Sequence, residues 1–196
     1  GETKFIYEGE TIDLGQPFAR KTMFGLLKEH VGVDLSDADE DEMKKVCESK
    51  GIKTQDSDHY GNYIEYLFDE FVEPKLVQPT FVIDFPKAIS PLAKLKRDGS
   101  EKIVERFELF IGAKEFSNAF SELNDPVDQE ERLRNQERLG LEGDEEAQTF
   151  DQDFIQAMQY GMPPTGGVGI GIDRLTMLFT NQKSIRDVLL FPQMKT

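Results

Sequence analysis

The sequence predicts an α+β fold, an antiparallel β-sheet with flanking and inserted helices. Three observations lead there. Several short runs alternate apolar and polar residues with period two, and two of these runs flank the short tip Gly112-Ala113-Lys114, as in a hairpin. Upstream of them, three consecutive stretches switch to a 3.6-residue period. Strands therefore adjoin strands and helices come in blocks, rather than alternating singly as βαβ units would.

The elements follow in order. Residues 4–14 read as a hairpin, Phe5-Ile6-Tyr7 and Thr11-Ile12-Asp13-Leu14, turned at Glu8-Gly9-Glu10. Thr22 has the hydroxyl to cap a first helix with Met23, Leu26, Leu27 and His30 along one face. A second helix runs from about residue 39 to 49 and stops at Gly51; within it Cys47, near Met43 and Val46, reads as core. A third, over 62–72, carries the stripe Ile64, Leu67, Phe68 and Phe71 and ends before Pro74. This acidic block, about residues 18–75, interrupts the strands as a helical insertion packed on a sheet would. The core sheet resumes from about residue 76, with strands at 80–85, 104–111 and 116–123. A charged helix over 126–139, an acidic loop and a helix over 151–160 with Phe154, Ile155 and Met158 come next. A glycine-rich strand around Gly167 and a last helix with Leu175, Met177, Leu178 and Phe179 complete the chain.

Composition narrows the function classes. The 196 residues can hold one ordinary domain, and 38% apolar with 31% charged residues is a globular balance. No apolar run approaches the ~20 residues that span a bilayer, and Gly1-Glu2-Thr3-Lys4 has no signal-peptide character, so no membrane partner is expected. A single cysteine, Cys47, excludes an internal disulfide and a cysteine-based zinc site and suits a reducing cytoplasm. The formal net charge of −15 argues against this chain being a main nucleic-acid grip, which needs clustered Lys and Arg. Residues 34–42 carry six carboxylates and 142–146 four, most simply as solvated helix starts and loops. His30 and His59 are isolated and receive no function.

Two constellations point to chemistry. Alternation on the strand over 116–123 puts Phe116, Asn118, Phe120 and Glu122 on one face. An amide, a ring and a carboxylate there suit an amino acid with a cationic end, with Glu122 pairing an ammonium; a merely solvent-exposed face is the competing reading. Glu108 and Glu115 flank the hairpin tip on its two arms. Facing carboxylates repel unless a cation lies between them, and hard oxygens suit Mg2+; neutralisation by Arg106 and Lys114 is the alternative. Near the end, Gly167, Gly169 and Gly171 alternate with Val168, Ile170 and Ile172. A strand there is bare on one face, letting something flat approach, with the branched face expected in a core. Arg174, at the junction to the last helix, could lay its guanidinium over an aromatic ring.

Five strings give the chain a family resemblance. Gly169-Ile170-Gly171-Ile172-Asp173-Arg174 resembles motif 3 of the class II aminoacyl-tRNA synthetases. Gln78-Pro79-Thr80-Phe81, Ser90-Pro91-Leu92-Ala93-Lys94, and Arg106-Phe107-Glu108-Leu109-Phe110 leading to Asn118-Ala119-Phe120-Ser121-Glu122-Leu123-Asn124-Asp125 are similar to the lysyl-tRNA synthetases within that class. With Val188-Leu189-Leu190-Phe191-Pro192, the match runs in order over about residues 5–194, the C-terminal half of the catalytic domain.

The resemblance implies an ATP-dependent ligase that converts lysine and ATP to lysyl-adenylate and transfers lysine to tRNA(Lys). It implies Glu108 and Glu115 as Mg2+ ligands, and Glu115, Phe116, Gly171, Ile172, Asp173 and Arg174 at the ATP. Asn118, Phe120, Glu122 and Gly169 would sit at the lysine, with Arg174, Glu108 and Glu115 as the catalytic groups. Asp173 is expected to cap and brace the last helix. Homodimerisation and a cytoplasmic location are expected of the full-length protein. Motif 1, motif 2 with its arginine, and the anticodon-binding barrel find no counterpart, so this chain is expected to be inactive alone. Two alternatives are a paralogue that lysylates a protein and a truncated, non-catalytic interaction module using the acidic helices.

Overall fold

The computed structural model describes residues 2–144 and 147–193. Strands β1 (Lys4–Tyr7) and β2 (Glu10–Asp13) form the expected hairpin as a separate two-stranded ribbon. Its turn holds Glu8 at φ 51° and Gly9 at φ 91°, the left-handed pair that matches the twist of a tight hairpin.

The main sheet has the order β3 (Ala19–Thr22), β4 (Thr80–Ile83), β5 (Arg106–Ile111), β6 (Lys114–Ser121), β7 (Gly166–Ile170). The last four strands pair antiparallel, but β3 runs parallel to β4, so the sheet is mixed at one edge. A parallel partner needs a crossover, and the helical block supplies it. Helices α1 (Met23–Val31), α2 (Glu40–Ser49) and α3 (Tyr60–Phe71) all lie between β3 and β4 in the chain. Ala19, Arg20, Lys21 and Thr22 are all exposed and show no alternation, which is why this strand left no trace in the pattern.

The three helices cover one face of the sheet at its β4–β5 side. Leu26, Leu27, Met43, Cys47, Ile64, Leu67, Val82 and Phe110 share one buried cluster, with the Phe68 and Phe110 rings 5.6 Å apart. Local chemistry sets the helix starts. Thr22 Oγ1 accepts the Gly25 N–H at 3.1 Å, and Asp39 forms a reciprocal capping box with Glu42. Helix α3 starts two residues before the expected position because His59 caps it. Its Nδ1 accepts the Gly61 N–H at 3.0 Å while Nε2 meets Asp144 Oδ2 at 2.9 Å. The Cys47 thiol is fully buried, donates to the Tyr63 carbonyl at 3.5 Å, and is pushed up to about 11 by burial, an inert core group.

Helix α4 (Pro126–Glu142), capped by Asp125 and stopped at the left-handed Gly143, packs on α5 (Gln152–Gln159) through Leu133, Ile155 and Met158. The acidic loop at 142–146 lies partly outside the described residues. Helix α6 (Ile172–Thr180) follows β7 directly. A further cluster joins Tyr7 and Ile12 of the ribbon to Ile111, Phe116 and Leu178.

The structure corrects two packing expectations. Val168, Ile170 and Ile172 are not in a core; they are 65%, 53% and 66% exposed, because no other described element lies over that side of the β7 edge. Phe179 is likewise exposed, while Met177 and Leu178 carry the packing of α6. The run Phe81-Val82-Ile83 of β4, by contrast, is covered. Val82 is fully buried under the helices and Phe81 packs edge-on to Phe107 at 5.3 Å. No helix of the described residues is long and apolar enough to cross a membrane.

Candidate active site

The register of β5, β6 and β7 lays two rows of side chains across one face of the sheet. One row is Glu108, Asn118 and Gly169; the next is Arg106, Phe120 and Gly167. The sequence's reading of β7 as bare on one face is realised here, with Gly167 and Gly169 both opening toward the site face. Glu122 continues β6 past its last paired residue. Its N–H donates to the Thr165 carbonyl at 3.0 Å, and its side chain lies against Gly167, where a Cβ would come 2.1 Å from Oε1. Only a glycine at 167 leaves room for that carboxylate. Asn118, Phe120, Glu122 and Gly169 are thus brought together.

Phe116 does not join them. The β5–β6 ladder pairs Leu109 with Ser117 but Phe110 with Glu115, so Phe116 is the extra residue of a bulge. The bulge breaks the alternation and turns the ring into the cluster with Tyr7, Ile12, Ile111 and Leu178. What Phe116 contributes near the site is its carbonyl, which accepts the Gly171 N–H at 2.9 Å and ties the start of α6 to β6.

The same bulge governs the two glutamates. Glu108 faces Asn118, not Glu115, so the carboxylates are diagonal neighbours and not a facing pair. Glu108 is 8% exposed, and its Oε1 accepts from Arg106 Nη2 at 2.5 Å. Burial pushes its carboxyl up; Arg106 opposes the rise and the negative charge of Glu115 adds to it. Glu115 is half-buried and its backbone carbonyl accepts from Arg174 Nη1, with the guanidinium 3.6 Å from Oε2. Glu73 completes the surroundings: burial raises its carboxyl, as do Asp69 and Glu115, while Arg174 counteracts them. Lys114 does not neutralise this pair; it bonds Glu8 at 2.6 Å and lies over the Tyr7 ring.

This excess of negative charge fits a divalent cation. Among the described residues no group of three or more His, Cys, Asp and Glu could cage a metal. Two carboxylates with phosphate oxygens as remaining ligands would satisfy Mg2+, which binds protein through few groups.

At the start of α6, Asp173 does not cap the helix. The N-cap is Gly171, with no side-chain hydrogen bond, and Asp173 stands exposed in the first turn, where its charge complements the helix dipole. Ile172 is also solvent-facing, and so is Arg174, whose guanidinium is held at the surface by Glu115.

Arg106 and Ser90 are the residues that pattern reading undervalued. Arg106 figured as a neutralising charge and the Ser90 string only as part of the family resemblance. In the structure the Arg106 guanidinium reaches Asn118, Glu108, the Ile89 carbonyl and the Ser90 hydroxyl together. The signal in the sequence was a basic residue two positions before a candidate metal ligand, on the same strand face.

Comparison with known proteins identifies the family. The family model for class II tRNA synthetases (D, K and N) matches residues 2–195. A lysine–tRNA ligase of Porphyromonas gingivalis is 48% identical over 195 residues, covering 100% of this chain and 34% of the relative. Those of a Thermoanaerobacter species and of Pelotomaculum thermopropionicum are 50% and 52% identical, each with 100% of this chain and 39% of the relative covered. The chain thus spans little more than a third of the length of these relatives.

Proposed function

The chain belongs to the class II tRNA synthetases of the D, K and N group, and from that membership we propose that it carries the amino-acid-activating site of a lysine–tRNA ligase. The observation that carries the reading is the Glu122 carboxylate seated on the Gly167 floor, beyond Phe120 and Asn118 in one line. A four-carbon stem would lie along the Phe120 ring with its ammonium at Glu122 and its α-carboxylate toward Glu108 and Arg174. Relatives near 50% identity that bear the name lysine–tRNA ligase favour lysine over other cationic amino acids.

The reaction follows from positioning. The lysine carboxylate attacks the α-phosphorus of ATP, the bond to the β-phosphate bridge breaks, and lysyl-adenylate and pyrophosphate result. The terminal hydroxyl of tRNA(Lys) then takes the acyl group and AMP leaves. No protein nucleophile is required; holding the two reactants in line and balancing phosphate charge supply the rate. Arg174 would cover the adenine ring, with Gly171 keeping the backbone low beneath it. Glu108 and Glu115 would hold Mg2+, whose charge offsets that of the phosphates when it is bound.

The test is lysine-dependent ATP–pyrophosphate exchange by the full-length protein, followed by charging of tRNA(Lys). Exchange that responds equally to arginine, or charging of a protein instead of tRNA, would overturn the reading.

A further inference from the structure

We propose that Arg106 is a positioning residue that couples the amino-acid pocket to the metal carboxylate, so that neither is correctly set without the other. The proposal rests on the reading of the site given above. One planar group makes every contact. Nε donates to Asn118 Oδ1 at 3.2 Å, Nη2 to Glu108 Oε1 at 2.5 Å, and Nη1 to both the Ile89 carbonyl at 2.7 Å and Ser90 Oγ at 2.8 Å. Its face lies 4.5 Å from the centre of the Phe85 ring. Because the guanidinium is rigid and delocalised, a rotation that lengthens one of these bonds also moves the others.

The contacts fix two choices that the side chains cannot make themselves. With Oδ1 of Asn118 taken by Arg106, the amide presents its NH2 side to the pocket, as a donor. With Oε1 of Glu108 taken, Oε2 remains for a cation. The anchor is itself braced. Ile89 closes a 3-10 turn, Lys87–Ile89, and the chain beyond it is tied to α4 by Gln129 Nε2 to the Pro91 carbonyl at 3.1 Å and Arg132 Nη1 to the Ala93 carbonyl at 2.8 Å. This gives the Ser90-Pro91-Leu92-Ala93 segment a function: it sets the angle of Arg106. A lysine at 106 would keep the charge but has one nitrogen, which cannot span Asn118, Glu108 and Ser90 in the same fork.

The experiment uses the full-length protein. Arg106→Lys should raise the concentrations of lysine and of Mg2+ needed for half-maximal exchange, each by roughly tenfold. Calorimetric lysine binding without ATP should weaken by the same factor. In an Asn118→Ala background, Arg106→Lys should change lysine binding no further, since the amide it orients is gone. Ser90→Ala removes one anchor and leaves every charge; it should shift both requirements in the same direction by a few-fold, and it decides the matter if Arg106→Lys does not fold. A shift in only one requirement, in neither, or an additive effect with Asn118→Ala overturns the coupling. Glu108→Gln and Asn118→Ala alone serve as the control. If they leave Mg2+ dependence and lysine binding untouched, the site assignment itself is wrong; if they act and the Arg106 and Ser90 variants do not, only the coupling falls.

Discussion

At the scale of single residues, Glu122 carries the most consequence for its size. Glu122→Gln keeps the shape and removes the charge, which should cost an ammonium ligand about 1.5–3 kcal/mol. Half-saturation by lysine would then rise at least roughly tenfold, with the ATP requirement little changed; kinetics of exchange at varied lysine and varied ATP check both. The pH behaviour has two opposite signs. Burial raises the Glu122 carboxyl above its ordinary value of 4.5. The folded protein therefore takes up this proton more readily than the unfolded chain, so the stability this group contributes is full below 4.5 and is lost as pH rises through the raised value. On the proposed reading, lysine binding would need the ionised form and should strengthen over the same window. Glu122→Gln should flatten both profiles, measured as unfolding midpoint and lysine affinity against pH; an unchanged slope in the variant would remove Glu122 from the pocket. The shared line of Asn118, Phe120 and Glu122 was legible in the sequence, because the three follow strict alternation. Phe116 was not, since a bulge inserts one residue without altering composition.

At the scale of elements, β7 shows how a strand acts as a surface. Its two site-facing glycines differ. A Cβ at Gly167 would stand 2.1 Å from Glu122 Oε1, whereas one at Gly169 would lie 3.7 Å from the Asn118 carbonyl, ordinary contact. Gly167→Ala should therefore push the flexible carboxylate aside and raise the lysine requirement by several-fold while the protein remains folded. Gly169→Ala should leave the sheet intact and act only on whatever ligand rests on that row. Equal effects of the two on lysine, read from calorimetric binding, would contradict the seat described for Glu122. The helices were legible from their apolar stripes, and the first also from its Thr22 cap; the caps Asp39 and His59 were not read. Strand β3 was not, because an exposed edge strand of Ala19, Arg20, Lys21 and Thr22 has no buried face to impose a period. The parallel pairing it adds is a property of the crossover, visible only once the helical block has been placed on the sheet.

At the scale of the whole molecule, charge and apolar surface pull in opposite directions. The net charge of −15 favours solubility and mutual repulsion. Against it, Val168, Ile170, Ile172, Phe179, Leu190 and Phe191 are each more than half exposed, and all belong to β7, α6 or the chain after them. β7 is also the sheet edge, with one side of its backbone unpaired among the described residues. An edge strand flanked by exposed branched and aromatic side chains is a template for association. Screening should decide the balance, because repulsion between surface charges fades beyond a Debye length of about 8 Å at physiological salt while apolar burial does not. The 196-residue chain expressed by itself should therefore run nearer to monomer at low salt and associate as salt is added, without lysine-dependent exchange in either state. Light scattering across a salt series checks this, with Val168→Thr and Ile170→Thr together expected to shift the population back toward monomer. Association that salt dissolves would mean that charge pairing, and not this apolar edge, brings the copies together.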